Sequence, residues 1–367
     1  MSKKIGVGII GVTPGRSWAA LGHIPALQGL PEYEIRALST TKMETARTAA
    51  EQFGVPLYFD NAEALAHAAE VDLVAVTVKV PHHLELVRTA LNAGKHVYCE
   101  WPLGNGLGEA EEMADLAHRK GVHVAVGLQA RCAPLMLYVR DLIATGHIGQ
   151  VLSTTLIGSG MSWGAVIDVP NAYTADKKNG ATLLTIPFGH TVDAVCQALG
   201  EFTELESILA NRRASFLLVP DNVTHPMTSE DQVLVQGVLQ GGATASIHYR
   251  GGVARGTNLL WEINGTDGDL QVTSIGGHAQ MFPLALAGAT GAAQALAPME
   301  IPAKYRWTPE LPAFAQNVGQ IYALLAKDIA TGSHTAPGFD IAVARHRMLA
   351  AVERAASTGM RQTCDVA

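Results

Sequence analysis

Near the start of the chain, the residues best spaced for chemistry lie in GIIGVTPGRSWAALGHIPAL (8–27), where an apolar run breaks at Gly11 and helix-forming residues follow. A glycine turn between a buried strand and a helix N-terminus lets backbone N–H groups approach a pyrophosphate. Gly11, Thr13, Pro14, Gly15 and Arg16 are therefore candidates to surround a dinucleotide's phosphates. Counted from Gly11, a GxGxxG pattern would need glycine at Thr13 and Arg16, and the stretch as far as His23 reads as a long loop. A literal match at Gly6, Gly8 and Gly11 has its first two glycines inside the strand, where no phosphate reaches. At the end of the second strand, where NAD sites usually carry a ribose-binding carboxylate, stand Ser39, Thr40, Thr41 and Lys42. Hydroxyls and an ammonium there admit NADP as well as NAD, although Lys42 equally suits a solvated helix start. Lys79, in TVKVPHH, ends a third strand and offers an ammonium where ligands of such sheets bind, or simply an exposed one.

These groups need a parallel sheet behind them. Ile5 to Ile10 is uniformly apolar or glycine, as a strand buried on both faces should be. YEIRALST, VDLVAVTV, KHVYCE and VHVAVGLQ read as further strands, alternating with helices at METARTAAEQFG, HHLELVRTALNAG and GEAEEMADLAHRKG. That alternation predicts an α/β Rossmann domain over residues 1–130. Beyond Arg131 a helix, APLMLYVRDLIATGHIG, is followed by strand-like VLSTTLIGSG, DQVLVQGVLQ, ATASIHYRGG, TNLLWEING and GDLQVTS. Residues 131–367 thus read as an α+β domain for substrate and oligomerisation, built on an open, mainly antiparallel sheet. Helices at LLTIPFGHTVDAVCQALG, FAQNVGQIYALLAKDIATG and DIAVARHRMLAAVERAAS are expected to cover one face of it, the last being free to pack back on the first domain. Gly276 to Pro298, rich in Ala and Gly, reads as a surface excursion.

Composition narrows the classes. The 367 residues suffice for two domains, and 26 basic against 33 acidic residues leave a net charge of -7 with no basic run to neutralise nucleic acid. Cys99, Cys132, Cys196 and Cys364 form no CxxC or Cys/His spacing, which argues against a metal centre and a disulfide framework and fits a reducing cytoplasm. No stretch approaches the roughly 18 apolar residues of a membrane span. The uncovered face of the second sheet predicts self-association, as a homodimer or a dimer of dimers.

The segments GVTPGRSWAALGHIPAL, ALSTTKMETA, CEWPL, GLQARCAPLMLYVRDLIATGHIG and FGHTVD together resemble the Gfo/Idh/MocA oxidoreductase family, and within it the galactose-regulon repressor type. The resemblance implies a cofactor role for Glu100, Trp101 and Pro102, and an acid/base role for His190 with Asp193 beside it. Catalytic members carry Glu-Lys-Pro where this chain has Glu100, Trp101 and Pro102, and an Asp and a Gly where it has Ile186 and Phe188. An indole N–H donates one hydrogen bond but neither takes up a proton nor carries charge, and Ile186 does neither. Trp18, Gln129, Arg131, Trp163 and Tyr173, with Asp193, are the remaining pocket candidates, aromatic walls with a few polar groups suiting a sugar-like ligand. Arg131, just past the last Rossmann strand, suits a salt bridge between the two domains as well as a substrate contact.

Two functions stay open on these residues. One is NAD(P)-dependent hydride transfer on a sugar or polyol, with His190, and Lys79 standing in for the missing lysine. The other is a catalytically silent dinucleotide or sugar sensor, which needs differential affinity between two states but no base.

Overall fold

The computed structural model describes residues 3–364, and contacts divide the chain into two compact units: 1–129 with 306–343, and 130–305 with 344–367. The first begins with β1 (Ile5–Ile10), a π-helical turn at Ala19–His23 that runs into α1 (Ile24–Gly29), β2 (Tyr33–Ser39), α2 (Met43–Phe53), β3 (Leu57–Phe59) and α3 (Ala62–His67). β4 (Leu73–Val76), α4 (His83–Asn92), β5 (His96–Glu100), α5 (Leu107–Lys120) and β6 (Val124–Gly127) follow. The six strands are parallel in the order β3-β2-β1-β4-β5-β6, a doubly wound sheet. Its central strands are apolar on both faces because helices cover both, and Leu73 to Val76 are wholly buried. Local signals set the ends: the Asn61 side chain, for example, accepts the Ala64 N–H at 2.8 Å and caps α3.

The second unit opens with α6 (Pro134–Ala144), β7 (Val151–Gly160), β8 (Val166–Asp168) and a π-helical turn at Leu184–Phe188 leading into α7 (Gly189–Leu199). Then follow β9 (Phe202–Ala210), β10 (Ser215–Val219), β11 (Val223–Pro226), β12 (Gln232–Leu239), β13 (Thr244–Gly251), β14 (Leu259–Gly265), β15 (Gly268–Ser274), β16 (Ala285–Thr290) and β17 (Ala297–Pro298). The last elements of the chain are α8 (Ala313–Thr331), which belongs to the first unit, α9 (Phe339–Thr358) and β18 (Gln362–Thr363). Nine strands form one sheet, β17-β16-β15-β14-β7-β13-β12-β9-β18, antiparallel except for the β7–β13 pair. Alternation sends Val233, Val235, Ile247 and Tyr249 to a buried face, where Phe188 at the start of α7 meets the Tyr249 ring edge-on at 5.8 Å. The opposite face keeps Leu234, Gln236, Ser246 and His248, with Ile208 60% exposed nearby. A three-stranded sheet, β11-β10-β8, closes over its own small core of Ile167, Ala175, Phe216 and Met227.

Three expectations need correction. Residues 306–343 belong with the first unit, and α8 packs there against α1 and β6. Its Tyr322 stacks on Tyr98 of β5 at 4.7 Å and accepts, through its carbonyl, the Tyr33 hydroxyl at 2.8 Å. Gly276 to Pro298 is a surface excursion only in part: residues 290–298 are exposed, but 276–280 are buried, and β16 and β17 extend the sheet. Lastly, the long loop to His23 is short, because helix begins at Trp18 and His23 lies within the π turn.

Candidate functional site

In the first unit, the turn after β1 depends on Gly11. Its φ is +99°, and a Cβ there would meet Val78 Cγ1 at 2.5 Å. The Gly11 N–H donates to the Ser39 carbonyl at 3.0 Å, and the Thr13 N–H to Ser17 Oγ at 2.9 Å. These two amides are thus engaged within the fold. Thr13, Gly15 and Arg16 are exposed and Pro14 half-buried, so the groups presented to an anion are the loop tip and the Arg16 guanidinium. At the end of β2, Ser39 is buried, and the Thr40 hydroxyl lies 2.9 Å from the Lys42 carbonyl and 2.6 Å from Thr45 Oγ1, closing the turn into α2. Thr41 and Lys42 are left facing solvent, as is Lys79 past the end of β4. An exposed cationic loop at Gly11 and a second strand ending in hydroxyls and an ammonium fit a dinucleotide.

Glu100 is held inside this unit. Gln129 Nε2 donates to both its oxygens at 2.9 and 2.8 Å, and His23 Nε2 lies 2.8 Å from Oε1. His23 Nδ1 in turn lies 2.8 Å from the Tyr322 hydroxyl. A Cβ on Gly127 would sit 2.7 Å from the carboxylate, so the strand approach requires glycine. Glu100 and Gln129 therefore bind each other, and His23 and Tyr322 are members of the network that the sequence did not single out. Trp101 is buried, and the Trp101–Pro102 peptide is cis. His83, the first residue of α4, places Nδ1 2.9 Å from the Pro102 carbonyl and Nε2 3.0 Å from that of Val78, joining the loops after β4 and β5. Burial pulls its pKa down. Trp18 is half-buried beside Phe314, ring centroids 6.3 Å apart, and its Nε1 has no hydrogen-bond partner.

In the second unit, Arg131 grips Asp193 through two hydrogen bonds of 2.8 Å. Arg345 of α9 reaches the same carboxylate at 3.2 Å and holds Glu201 at 2.7 and 3.0 Å. Asp193 is fully buried, and the two guanidinium groups hold its pKa below the usual carboxylate range despite the cost of burial. Both Arg131 and Asp193 are thus spent within this unit: the salt bridge expected of Arg131 exists, but its partner lies in the same unit. His190, one turn earlier on α7, is buried with Nδ1 unpartnered. Burial, with His278 adding repulsion, pushes its pKa down to about 3, against a smaller upward pull from Asp193. Ile186 is half-buried in the preceding π turn. Trp163 is buried with Nε1 unpartnered, and Tyr173 is half-buried, its phenol pKa raised by desolvation. π turns are frequent at functional positions, and each unit has one: before α1, containing His23, and before α7, ending two residues ahead of His190.

Residues 5–128 match the model of the oxidoreductase family, NAD-binding Rossmann fold (GFO_IDH_MocA), and residues 134–274 that of the Gal80p C-terminal domain. The galactose/lactose metabolism regulatory protein GAL80 of Kluyveromyces lactis is 30% identical over 78% of this chain and 67% of its own length. The chain belongs to the Gfo/Idh/MocA family, with a Gal80-like second domain. Dehydrogenase aclE of Aspergillus oryzae is 38% identical over 56% of this chain and 58% of its own. Among solved structures, a super-repressor mutant of Gal80p from Saccharomyces cerevisiae superposes with a TM-score of 0.89 at 25% identity, covering 99% of this chain and 98% of that one. Levoglucosan dehydrogenase, solved with NADH and levoglucosan, shares the fold at a TM-score of 0.83 and 20% identity, over 99% of this chain and all of that one. The first unit is accordingly a family NAD-binding Rossmann domain. Among the described residues no helix is long and apolar enough to cross a membrane, and no group of three or more His, Cys, Asp or Glu is placed to hold a metal.

Proposed function

We propose that the protein uses a nicotinamide dinucleotide to oxidise or reduce an uncharged, sugar-like hydroxyl compound, with His190 receiving or returning the hydroxyl proton. The observation that carries this is His190 itself: a buried imidazole, neutral at physiological pH, whose Nδ1 no protein group satisfies. When bound, the dinucleotide supplies the hydride donor or acceptor that protein side chains lack. Gly15, Arg16, Thr41 and Lys42 would hold it, with Lys42 and the missing carboxylate favouring NADP. An imidazole with so low a pKa accepts protons poorly, which places its contribution at the low end of the roughly 10² to 10⁴-fold typical of general acid–base catalysis. Lys79, the exposed ammonium at the end of β4, would replace the lysine position occupied by Trp101. The half-exposed face around Ile208, Leu234 and His248 would form the contact of a homodimer, and cysteines that form no disulfide among the described residues suit a reducing compartment such as the cytoplasm.

A second function, a silent sensor whose ligand alters contacts with another protein, is favoured by Ile186, by Trp101 and by relatives named as regulatory proteins. Both are tested by one assay: purified protein with NADP and NAD against aldoses, lactones and polyols, read by nicotinamide absorbance. Turnover lost in His190→Ala supports the oxidoreductase. Dinucleotide binding with no turnover on any compound sinks it and leaves the sensor.

A further inference from the structure

We infer that His278 is a second ligand-contacting residue of the His190 site, and that the two imidazoles together select an uncharged hydroxyl compound over an acidic one. The inference rests on the proposed ligand class and names the group that recognises it.

The loop between β15 and β16 is built to hold His278 in place. Gly277 accepts the Ser159 N–H from the end of β7 at 3.0 Å, and a Cβ on Gly277 would lie 1.9 Å from the Ser159 carbonyl oxygen. Two residues on, the Ala279 N–H donates to Thr191 Oγ1 at 3.2 Å. His278 and His190 each adjoin one end of that hydrogen bond, and His278 is close enough to disfavour charge on His190. The edge of the His278 ring meets Phe282 at 5.0 Å.

Both histidines are buried, 5% and 1% exposed, and both have an Nδ1 without a hydrogen-bond partner. Buried polar atoms in native structures are mostly met by a hydrogen bond, so two unmet imidazole nitrogens in one cluster leave room for a polar occupant. Desolvation lowers the pKa of His278 to about 4, so both rings are neutral at pH 7. A neutral imidazole carries one N–H donor and one acceptor nitrogen, which matches a hydroxyl that donates and accepts. The same cluster offers an anion little, because Arg131 and Arg345 are committed to Asp193 and Glu201. His278 thus brings from a separate loop the polar group that Ile186 lacks.

The test uses the full chain, ¹⁵N-labelled at histidine, with D-galactose, D-glucose, D-xylose and myo-inositol and the uronates of the two hexoses as probes. Binding is followed by calorimetry and imidazole ¹⁵N shifts, with and without dinucleotide. The expected result is that at least one neutral probe binds and moves the resonances of both histidines. His278→Gln should weaken it about tenfold, the worth of one neutral hydrogen bond, with unchanged dinucleotide affinity and circular dichroism. Shifts confined to His190, tighter binding of a uronate, indifference to His278→Gln, or no neutral probe binding at millimolar concentration would each overturn it. Sugar binding through both histidines without turnover would leave this inference standing and remove the oxidoreductase instead.

Discussion

Glu100 in the first unit and His190 in the second are both buried ionisable residues that the family resemblance marks as functional, yet they are treated differently. Glu100 is met by Gln129 and His23, with Tyr322 behind, so its bonds are spent on joining β5, the turn after β6, the π turn and α8. His190 is desolvated without compensation at Nδ1. The contrast teaches that burial alone does not mark a site. A satisfied buried network specifies and stabilises a fold, whereas an unsatisfied group carries a cost that a ligand can offset.

The comparison is broken most directly at Asp193, the satisfied neighbour of His190. Asp193→Ala leaves buried guanidinium charge uncompensated and should cost about 3–5 kcal/mol in urea unfolding. A loss under about 1 kcal/mol would mean that Asp193 is not structural. Next, Glu100→Ala strands His23 and Gln129 and should lower stability by about 1–3 kcal/mol. If stability held while only dinucleotide affinity fell, Glu100 would be a cofactor residue rather than a network hub.

The histidines sharpen the contrast through pH. Their folded pKa values, about 3 and about 4, lie below the unfolded value of about 6.5. The unfolded chain therefore takes up protons first, so this contribution is full above pH 6.5 and erodes as pH falls towards 4. At its steepest the loss is about 1.4 kcal/mol per pH unit for each ring. Buried His83 and His346 add to the same limb, so the quantity to measure is the flattening produced by His190→Gln with His278→Gln. An unchanged slope would show that the two rings are solvated. The smallest effect is expected of His190→Leu at pH 7, where removing an unmet polar group should leave the unfolding free energy within about 1 kcal/mol of wild type, or raise it. A large loss would place His190 among the structural residues with Glu100.

Much of the fold was legible because its signals are local. Two-face apolar strands such as Leu73–Val76 and alternating strands such as Gln232–Leu239 advertise their environment residue by residue. The destination of α8 was not legible: an amphipathic stripe says that a face is buried, not which unit buries it. The 276–282 loop was misread for a related reason. It is held through its own backbone, by the Ser159 N–H and the Thr191 hydroxyl, which leaves no periodic pattern in its residues.

The amino-acid sequence by itself determined the Rossmann alternation, the glycine turn at Gly11, the absence of a carboxylate after β2 and the substitutions at Trp101 and Ile186. Each is a matter of residue type at a position. Tertiary structure alone decided that Glu100 and Asp193 are spent internally, that His190 is not, and that His278 stands near it. Hydrogen-bond satisfaction is a property of neighbours brought from distant parts of the chain, and no local pattern encodes it.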